Sequence, residues 1–216
     1  MTRQELEQFA FLHLPPEFWK RALQSVFQAH NVSWQDCGSN FAATEAENVQ
    51  PYYKRGKLEG YLRDVAALFP GITTQVIRAE QSNWFHTEVR AGPLVLTENS
   101  VPTPCALVEK ADFRLTLARD AQGTLFPDER LTDESPLYVL LLHSKSRWDD
   151  PSDYREHRHL PGSAYIAFPS ADLKHYLHEI NLFEMFPEVV AAHTPKTWNH
   201  EATQRYLHRA RKIITV

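Results

Sequence analysis

Six consecutive apolar residues, Leu137-Tyr-Val-Leu-Leu-Leu142, form the longest uninterrupted apolar stretch of the chain and decide its fold. Such a stretch is too short to cross a membrane but has the usual length of a β-strand. Because no polar residue interrupts it, neither face of the strand can be left to water. The segment therefore predicts a central strand, closed by His143, in a sheet that is covered on both sides.

Helical periodicity dominates both ends of the chain. Apolar residues recur at helical spacing in five segments: a short one around Leu6, then Phe18 to Phe27, Lys54 to Phe69, a helix over 171–186 with Ser170 as N-cap, and a last one over 199–213. Residues 31–50 are polar and lack this pattern, which predicts a loop. We therefore expect helices before and after the sheet.

The middle of the chain changes to β-prone runs. They cover 72–79, 84–91, 94–97, 137–143 and 163–168, with a short helix predicted over 111–119. This order predicts an α+β fold with a mixed or antiparallel sheet of about five strands and helices packed on it. We expect a single globular domain over 1–216, with a helical part (1–70), a sheet-containing part (71–168) and a helical C-terminal part (169–216).

Charge and composition narrow the class of protein. The 216 residues carry 23 basic and 27 acidic side chains, a net charge of −4, which disfavours a role that neutralises many phosphates of duplex nucleic acid. The two cysteines lack CxxC spacing, and the N-terminus lacks an apolar signal segment. We expect a soluble, cytoplasmic protein that does not bind membranes.

Familiar cofactor motifs are absent from the sequence. It contains no GxGxxG, no GxxxxGK[ST], no HExxH and no GxSxG. A Rossmann site, a P-loop, a zincin and a serine hydrolase of the common type thus lose support. The sequence leaves any cofactor, and the oligomeric state, undetermined.

A histidine and lysine cluster at the end of the central strand is the first candidate site. It comprises His143, Lys145, His157 and His159. If strands 137–143 and 163–168 are neighbours, these residues lie near one end of the sheet. Imidazoles exchange protons near neutral pH, and a lysine can hold a phosphate or carboxylate. The same side chains could bind a divalent metal with nearby aspartates, or the segment could be a solvated loop.

The strand over 84–91 provides a second candidate. Alternation places Trp84, His86, Glu88 and Arg90 on one face, and Phe85, Thr87, Val89 and Ala91 on a face that resembles core. The first face could bind a polar ligand or a base stacked on the indole. An exposed sheet face whose charges pair across strands is the alternative.

The basic C-terminal helix is a third candidate. Arg205, Arg209 and Lys212 share one helical stripe, which Arg211 flanks. This stripe predicts contact with an acidic protein surface or a phosphate backbone, although a solvated helix has the same pattern.

Two functional hypotheses follow from these candidates. The first is an interaction or regulatory protein that binds a protein or nucleic-acid partner partly through the C-terminal helix. The alternative is a small hydrolase or nuclease that uses the cluster after the central strand. A restriction-nuclease-like site needs an acid on one strand and an acid-x-Lys triplet at the end of the next. Here the triplet is His143-Ser144-Lys145, with histidine in place of the acid, and Glu88 would be the acid on the other strand.

Overall fold

A computed structural model describes residues 2–78, 85–104, 106–122, 135–145 and 158–194 of the chain. The helices of these ranges are α1 (Arg3–His13), α2 (Pro16–Asn40), α3 (Ala43–Ala66), α4 (Asp112–Gln122), α5 (Leu182–Met185) and α6 (Pro187–His193). The strands are β1 (Ile72–Arg78), β2 (Phe85–Ala91), β3 (Leu94–Val101), β4 (Leu137–Lys145), β5 (Pro161–Pro169) and β6 (Tyr176–Asn181). The α+β class predicted from the sequence is confirmed.

The six strands form one mixed sheet in the order β1-β2-β3-β4-β5-β6. All neighbours are antiparallel except β3 and β4, which are parallel. The chain between these two parallel strands includes α4. The prediction of about five strands is thus low by one, because β6 was not recognised.

The central position predicted for the apolar strand is confirmed. β4 lies between β3 and β5, and its apolar side chains are buried on both faces. Leu137, Val139 and Leu141 pack under the N-terminal helices, α5 and α6, whereas Tyr138, Leu140 and Leu142 pack on the side of α4. Because alternate side chains of β4 are buried in two separate hydrophobic clusters, every position of the run has to be apolar.

The loop predicted over 31–50 is wrong. α2 continues to Asn40, and α3 begins at Ala43. The buried face of α2 changes from apolar to polar as it proceeds, with His30, Ser33 and Cys37 in the inward positions. Apolar periodicity disappears there although helical geometry continues, because small or polar side chains occupy the inward positions.

The helix predicted over 171–186 is also wrong. Ser170 begins a tight turn instead, and Leu173 adopts a φ of 56°, which a continuing helix does not allow. The chain then returns as β6, which pairs antiparallel with β5. A free strand edge provides hydrogen-bond partners that helical spacing in the sequence does not reveal. The C-terminal part, 169–216, therefore contains a strand as well as helices.

No helix in the described part of the chain is both long and apolar enough to cross a membrane.

Candidate functional site

A cleft of about 670 Å³ opens where the parallel strands β3 and β4 end. Because the two strands run in the same direction, their carboxyl ends lie at the same edge of the sheet, which is where open sheets of this kind bind ligands. The cleft is lined by Pro51, Tyr52, Lys54, Arg55, Glu98, Asn99, Ser100, Val101, Pro102, Leu107, Glu109, Arg114, His143 and Lys145. α3 therefore contributes one wall, and the ends of β3 and β4 contribute another.

Two residues that line this cleft, Glu98 and His143, belong to a buried chain of hydrogen-bonded side chains. His143 Nε2 lies 3.2 Å from Glu98 Oε2, and His143 Nδ1 lies 3.0 Å from His30 Nε2. The two imidazole rings are nearly perpendicular. All three side chains are buried, His143 completely. We call this arrangement the Glu98–His143–His30 chain.

The sheet register explains how Glu98 and His143 meet. Glu98 pairs with Leu141, and His143 lies two residues further along β4 on the same face. α2 crosses that face and presents His30. Three distant parts of the sequence are thus joined by one strand pairing and one helix packing.

Burial keeps both imidazoles of the chain neutral. The pKa of His30 is well below its ordinary value because of burial, with further lowering by Lys54, His143 and Lys145. The pKa of His143 is lowered mainly by burial, which outweighs its hydrogen bond to Glu98. At neutral pH each ring can therefore donate one hydrogen bond and accept one.

Lys54 is a buried cation at the cleft. It is 3% exposed and occupies an inward position of α3, four residues before Leu58. Burial and the nearby Lys145 lower its pKa to about 8, although Glu98 acts in the opposite direction. Its ammonium forms no ion pair or hydrogen bond with any residue that the structure describes. A buried charge of this kind favours the binding of an anion.

Arg55, the next residue of α3, connects the acidic groups. Its Nε lies 3.0 Å from Glu59 Oε1 and 3.5 Å from Glu98 Oε1, and its Nη2 donates to the Phe85 carbonyl. Burial, followed by the proximity of Glu98, raises the pKa of Glu59. The Arg55 guanidinium therefore lies between the buried carboxyl groups of Glu59 and Glu98, and it fixes the position of Glu98 Oε1.

The far side of the cleft is positioned by α4. Arg114 donates to Asn99 Oδ1 and to the Glu109 carbonyl, both at 2.6 Å. Among the described residues that line the cleft, the basic ones are Lys54, Arg55, Arg114 and Lys145, and the acidic ones are Glu98 and Glu109. A chain with a net charge of −4 thus has a cleft with an excess of positive charge.

The structure brings together part of the first predicted cluster. His143 and Lys145 line the cleft, as their place at the end of β4 implies. β4 and β5 are neighbours, and His159 lies half-buried two residues before Pro161, which pairs with Lys145. His159 is not among the residues that line the cleft, and His157 lies outside the described residues.

The second predicted site is not an exposed sheet face. His86 and Glu88 are both 3% exposed, and the Phe113 ring of α4 stacks on His86 at 3.8 Å. Glu88 accepts from Arg90 and bonds His86 at 3.3 Å, so its carboxylate is already neutralised. Phe85, expected to resemble core, is 54% exposed.

The remaining predicted site residues lie outside the described part of the chain. They are Trp84 of the second candidate site and Arg205, Arg209, Arg211 and Lys212 of the C-terminal helix that the sequence predicts. Glu88 lies on the face of β2 that meets α4, opposite to Thr87, which contacts α3. The pairing of Glu88 with Lys145 that a nuclease-like site would need is therefore not formed, and Glu98 is the acid next to His143.

Sequence reasoning missed five residues of this site: His30, Lys54, Arg55, Glu98 and Arg114. Two of them carried a signal. Lys54 occupies the apolar stripe of α3, and Glu98 extends the inward alternation of Leu94 and Leu96. A charged residue in a buried position marks either a paired ion or a ligand site. The apolar pattern of α2 ends before His30, so the sequence does not indicate that the helix continues to this residue.

The described residues contain no group of three or more His, Cys, Asp or Glu side chains arranged to hold a metal ion. No protein-family model matches the chain, and neither a curated protein nor a solved structure is significantly similar to it.

Proposed function

We propose that this protein is a hydrolase that cleaves a phosphate-bearing substrate in the cleft at the ends of β3 and β4. The observation that carries the proposal is the combination of a buried Lys54, which has no ion-pair partner among the described residues, with the adjacent Glu98–His143–His30 chain. Lys54 binds an anion, and the Glu98–His143–His30 chain exchanges a proton. Hydrolysis of a phosphate ester requires both.

The cations explain the preference for an oxyanion. Lys54 has no counterion among the described residues, and Lys145, 2 residues past His143, is exposed at the cleft. An ammonium that is kept from water interacts strongly with a phosphate oxygen because solvent screening is weak there. We therefore assign Lys54 and Lys145 to the phosphate group, with Arg114 on the opposite wall.

Glu98 is the group that reaches the reacting oxygens. His143 and Arg55 each bind one of its carboxyl oxygens, so its orientation is fixed before substrate arrives. During hydrolysis the oxygen of water bonds to phosphorus and the bond to the leaving oxygen breaks. Glu98 takes a proton from the attacking water as its oxygen bonds to phosphorus, and returns this proton to the leaving oxygen as that bond breaks.

The experiment measures hydrolysis of p-nitrophenyl phosphate and bis-p-nitrophenyl phosphate by the purified chain and by two variants. We expect Glu98→Gln to lower the rate by about 10²-fold or more, the usual contribution of proton transfer by a positioned group. We expect Lys54→Met to weaken binding of inorganic phosphate measured by calorimetry.

Lys57→Met is the matched control, because Lys57 lies on the same helix but is about one-third exposed and faces Asp36. It should leave rate and binding unchanged. No hydrolysis of either ester by the wild type, or full activity in Glu98→Gln, would contradict the proposal.

The interaction hypothesis stays a prediction. The basic residues on which it rests lie outside the described part of the chain. The cleft, by contrast, consists of described residues whose distances are known, and for this reason we place the hydrolase first.

A further inference from the structure

We infer that the cleft takes an aryl phosphate, whose ring lies against Tyr52 and Leu107 at the entrance of the cleft while its phosphate group reaches the cations inside. The place of the ring follows from the distribution of side chains in the cleft, whereas hydrolysis of the ester rests on the proposed function. The cations and the Glu98–His143–His30 chain leave the organic part of the substrate undetermined, and the two exposed apolar residues determine it.

Charged and apolar side chains lie in the cleft in an unusual order. Lys54 is 3% exposed and Glu98 is 7% exposed, whereas Tyr52 is 58% exposed and Leu107 is 46% exposed. All four residues line the cleft. In most proteins lysine and glutamate are exposed, and large apolar side chains are buried. The inner end of this cleft is therefore charged, and we call Tyr52 and Leu107 the apolar entrance.

Tyr52 lies on the same helix as two of the cations. It precedes Lys54 by two residues and Arg55 by three, which corresponds to roughly 3 to 5 Å along the axis of α3. Residues three apart in a helix are neighbours on one face. In an aryl phosphate a single oxygen atom joins phosphorus to the ring. A ring on Tyr52 and a phosphate group at the cations are thus compatible with one small molecule.

Leu107 is exposed, but the backbone on both sides of it is held in place. The Tyr176 hydroxyl donates to the Ala106 carbonyl and accepts from the Val108 N–H, each at 3.1 Å. Val108 is also buried in the hydrophobic cluster on the α4 side of the sheet. Leu107 therefore presents an apolar surface whose position is set before a ligand arrives, which reduces the entropy lost on binding.

The apolar entrance favours an aromatic ring over an alkyl chain. A tyrosine ring stacks on a flat aromatic group and gains energy beyond the burial of apolar area. An alkyl chain lacks this stacking and loses rotational freedom on binding, whereas a ring is rigid. The cleft volume of about 670 Å³ is in the range of sites that enclose an organic molecule, so a ring and a phosphate group fit together.

The charge of the cleft requires that the ring carries an anion. Four of the six charged residues that line the cleft are basic, and Lys54 has no ion-pair partner among the described residues. A neutral apolar ligand would shield this buried ammonium from water and supply no counterion, which is costly. An aryl phosphate provides a partner for both the cation and the apolar entrance.

The first experiment separates the ring from the anion by calorimetric titration with phenylphosphonate, methylphosphonate and inorganic phosphate. The phosphonates contain a P–C bond that hydrolysis of an ester does not break, so binding is measured without reaction. We expect the wild type to bind phenylphosphonate about tenfold more tightly than methylphosphonate, the order of one stacking contact on an aromatic side chain. Equal affinities for the two phosphonates would overturn the inference.

Tyr52→Ala should remove most of this preference and leave the affinity for inorganic phosphate unchanged. Tyr53→Ala is the matched control, because Tyr53 is the next residue of α3 but its hydroxyl donates to Asp36, and it is not among the residues that line the cleft. It should retain the preference. A full preference in Tyr52→Ala, or an equal loss in both variants, would overturn the role of Tyr52.

Leu107→Ala should lower the preference for phenylphosphonate in the same direction. Leu68→Ala is its control, because Leu68 is also exposed and does not line the cleft. Both leucines are largely exposed, so neither substitution removes core packing. A preference in Leu107→Ala equal to that of the wild type would overturn the role of Leu107.

The kinetics of p-nitrophenyl phosphate provide a separate readout. Tyr52→Ala should raise KM about tenfold with little change in kcat, because the ring contacts the apolar entrance equally in the ground state and the transition state. A preference for phenylphosphonate without hydrolysis of any ester would contradict the proposed function alone. Hydrolysis of p-nitrophenyl phosphate together with equal affinities for the two phosphonates would contradict the aryl substrate alone.

Discussion

At the scale of single residues, the site is made of side chains that reduce stability where they lie. Lys54 is buried without a partner among the described residues, and His30 and His143 are buried in neutral form. A hydrophobic residue at each of these positions would satisfy the α+β fold at least as well. Local conflict of this kind is expected at positions that serve binding or catalysis.

Replacing Lys54 with methionine should stabilise the protein at pH 7. The pKa of Lys54 is about 8 in the folded state, compared with an ordinary value of 10.5. The unfolded chain therefore binds a proton more tightly, and this difference corresponds to roughly 3 kcal/mol that the charged lysine costs at pH 7. Chemical denaturation should show a gain of that order in Lys54→Met.

The sign of the pH dependence provides a second readout for the same variant. Between pH 8 and 10.5 the unfolded state holds more protons than the native state, so wild-type stability due to Lys54 rises with pH. Lys54→Met should lack this rise. Lys57→Met should show neither effect, because contact with Tyr53 raises the pKa of Lys57. An unchanged stability of Lys54→Met at pH 7 would mean that the lysine is solvated.

At the scale of secondary-structure elements, β4 supports both the core and the site. Its alternating side chains fill two hydrophobic clusters, and its last residues present His143 and Lys145 to the cleft. β3 runs parallel to it and presents Glu98 at the same edge. The position of the site is thus a consequence of one parallel strand pair.

Truncating Leu141 tests the central position of β4. Leu141 is completely buried under the N-terminal helices, and Leu141→Ala should cost about 2–5 kcal/mol of unfolding free energy. Leu12→Ala is the matched control, because Leu12 is 63% exposed and should change stability little. A loss below roughly 0.5 kcal/mol in Leu141→Ala would be incompatible with a packed core at this position.

The turn between β5 and β6 depends on Asp172. Its carboxylate accepts from the Ser170 hydroxyl at 2.7 Å and from the Lys174 backbone at 3.1 Å, which lowers its pKa to about 2. Asp172→Ala should increase hydrogen exchange of the β6 amides. Because the folded pKa is depressed, acid should have the same effect as the pH falls from about 4 to 2.

Lys174→Ala is the control for this turn. It removes the exposed ion pair with Asp172 but keeps both hydrogen bonds of the carboxylate. Exchange in β6 should then stay at the wild-type level. Equal protection in Asp172→Ala and the wild type would show that strand pairing alone holds β6 in place.

At the scale of the whole molecule, charge is distributed unevenly. The chain has a net charge of −4, yet four of the six charged residues that line the cleft are basic. Electrostatic attraction of an anion is therefore local and opposed by the distant acidic surface. Added salt screens the distant charges first and the buried Lys54 least.

Inorganic phosphate should raise the melting temperature of the wild type, because a ligand that binds only the native state stabilises it by mass action. The increase should persist in moderate salt, since Lys54 is shielded from solvent. It should be absent in Lys54→Met and retained in Lys57→Met. An equal shift in all three proteins would indicate general ionic effects in place of a site.

The sequence by itself determined the features that local physics controls. The apolar run Leu137–Leu142 required cover on both faces, and the β-prone runs located β1 and β2 to within a few residues. The apolar period also identified the cores of α2 and α3, although both helices extend into 31–50, where the sequence predicts a loop. The sequence also placed His143 and Lys145 at the end of a central strand, where they line the cleft.

Only the tertiary structure decided what depends on distant partners. β6 exists because β5 offers a free edge, and helical spacing cannot reveal that edge. The extension of α2 carries His30, Ser33 and Cys37 inward, and apolar periodicity fails there because the inward positions hold small or polar side chains. His30, Glu98 and His143 are separated by tens of residues in the chain, and only the parallel register of β3 and β4 together with the packing of α2 brings them into contact.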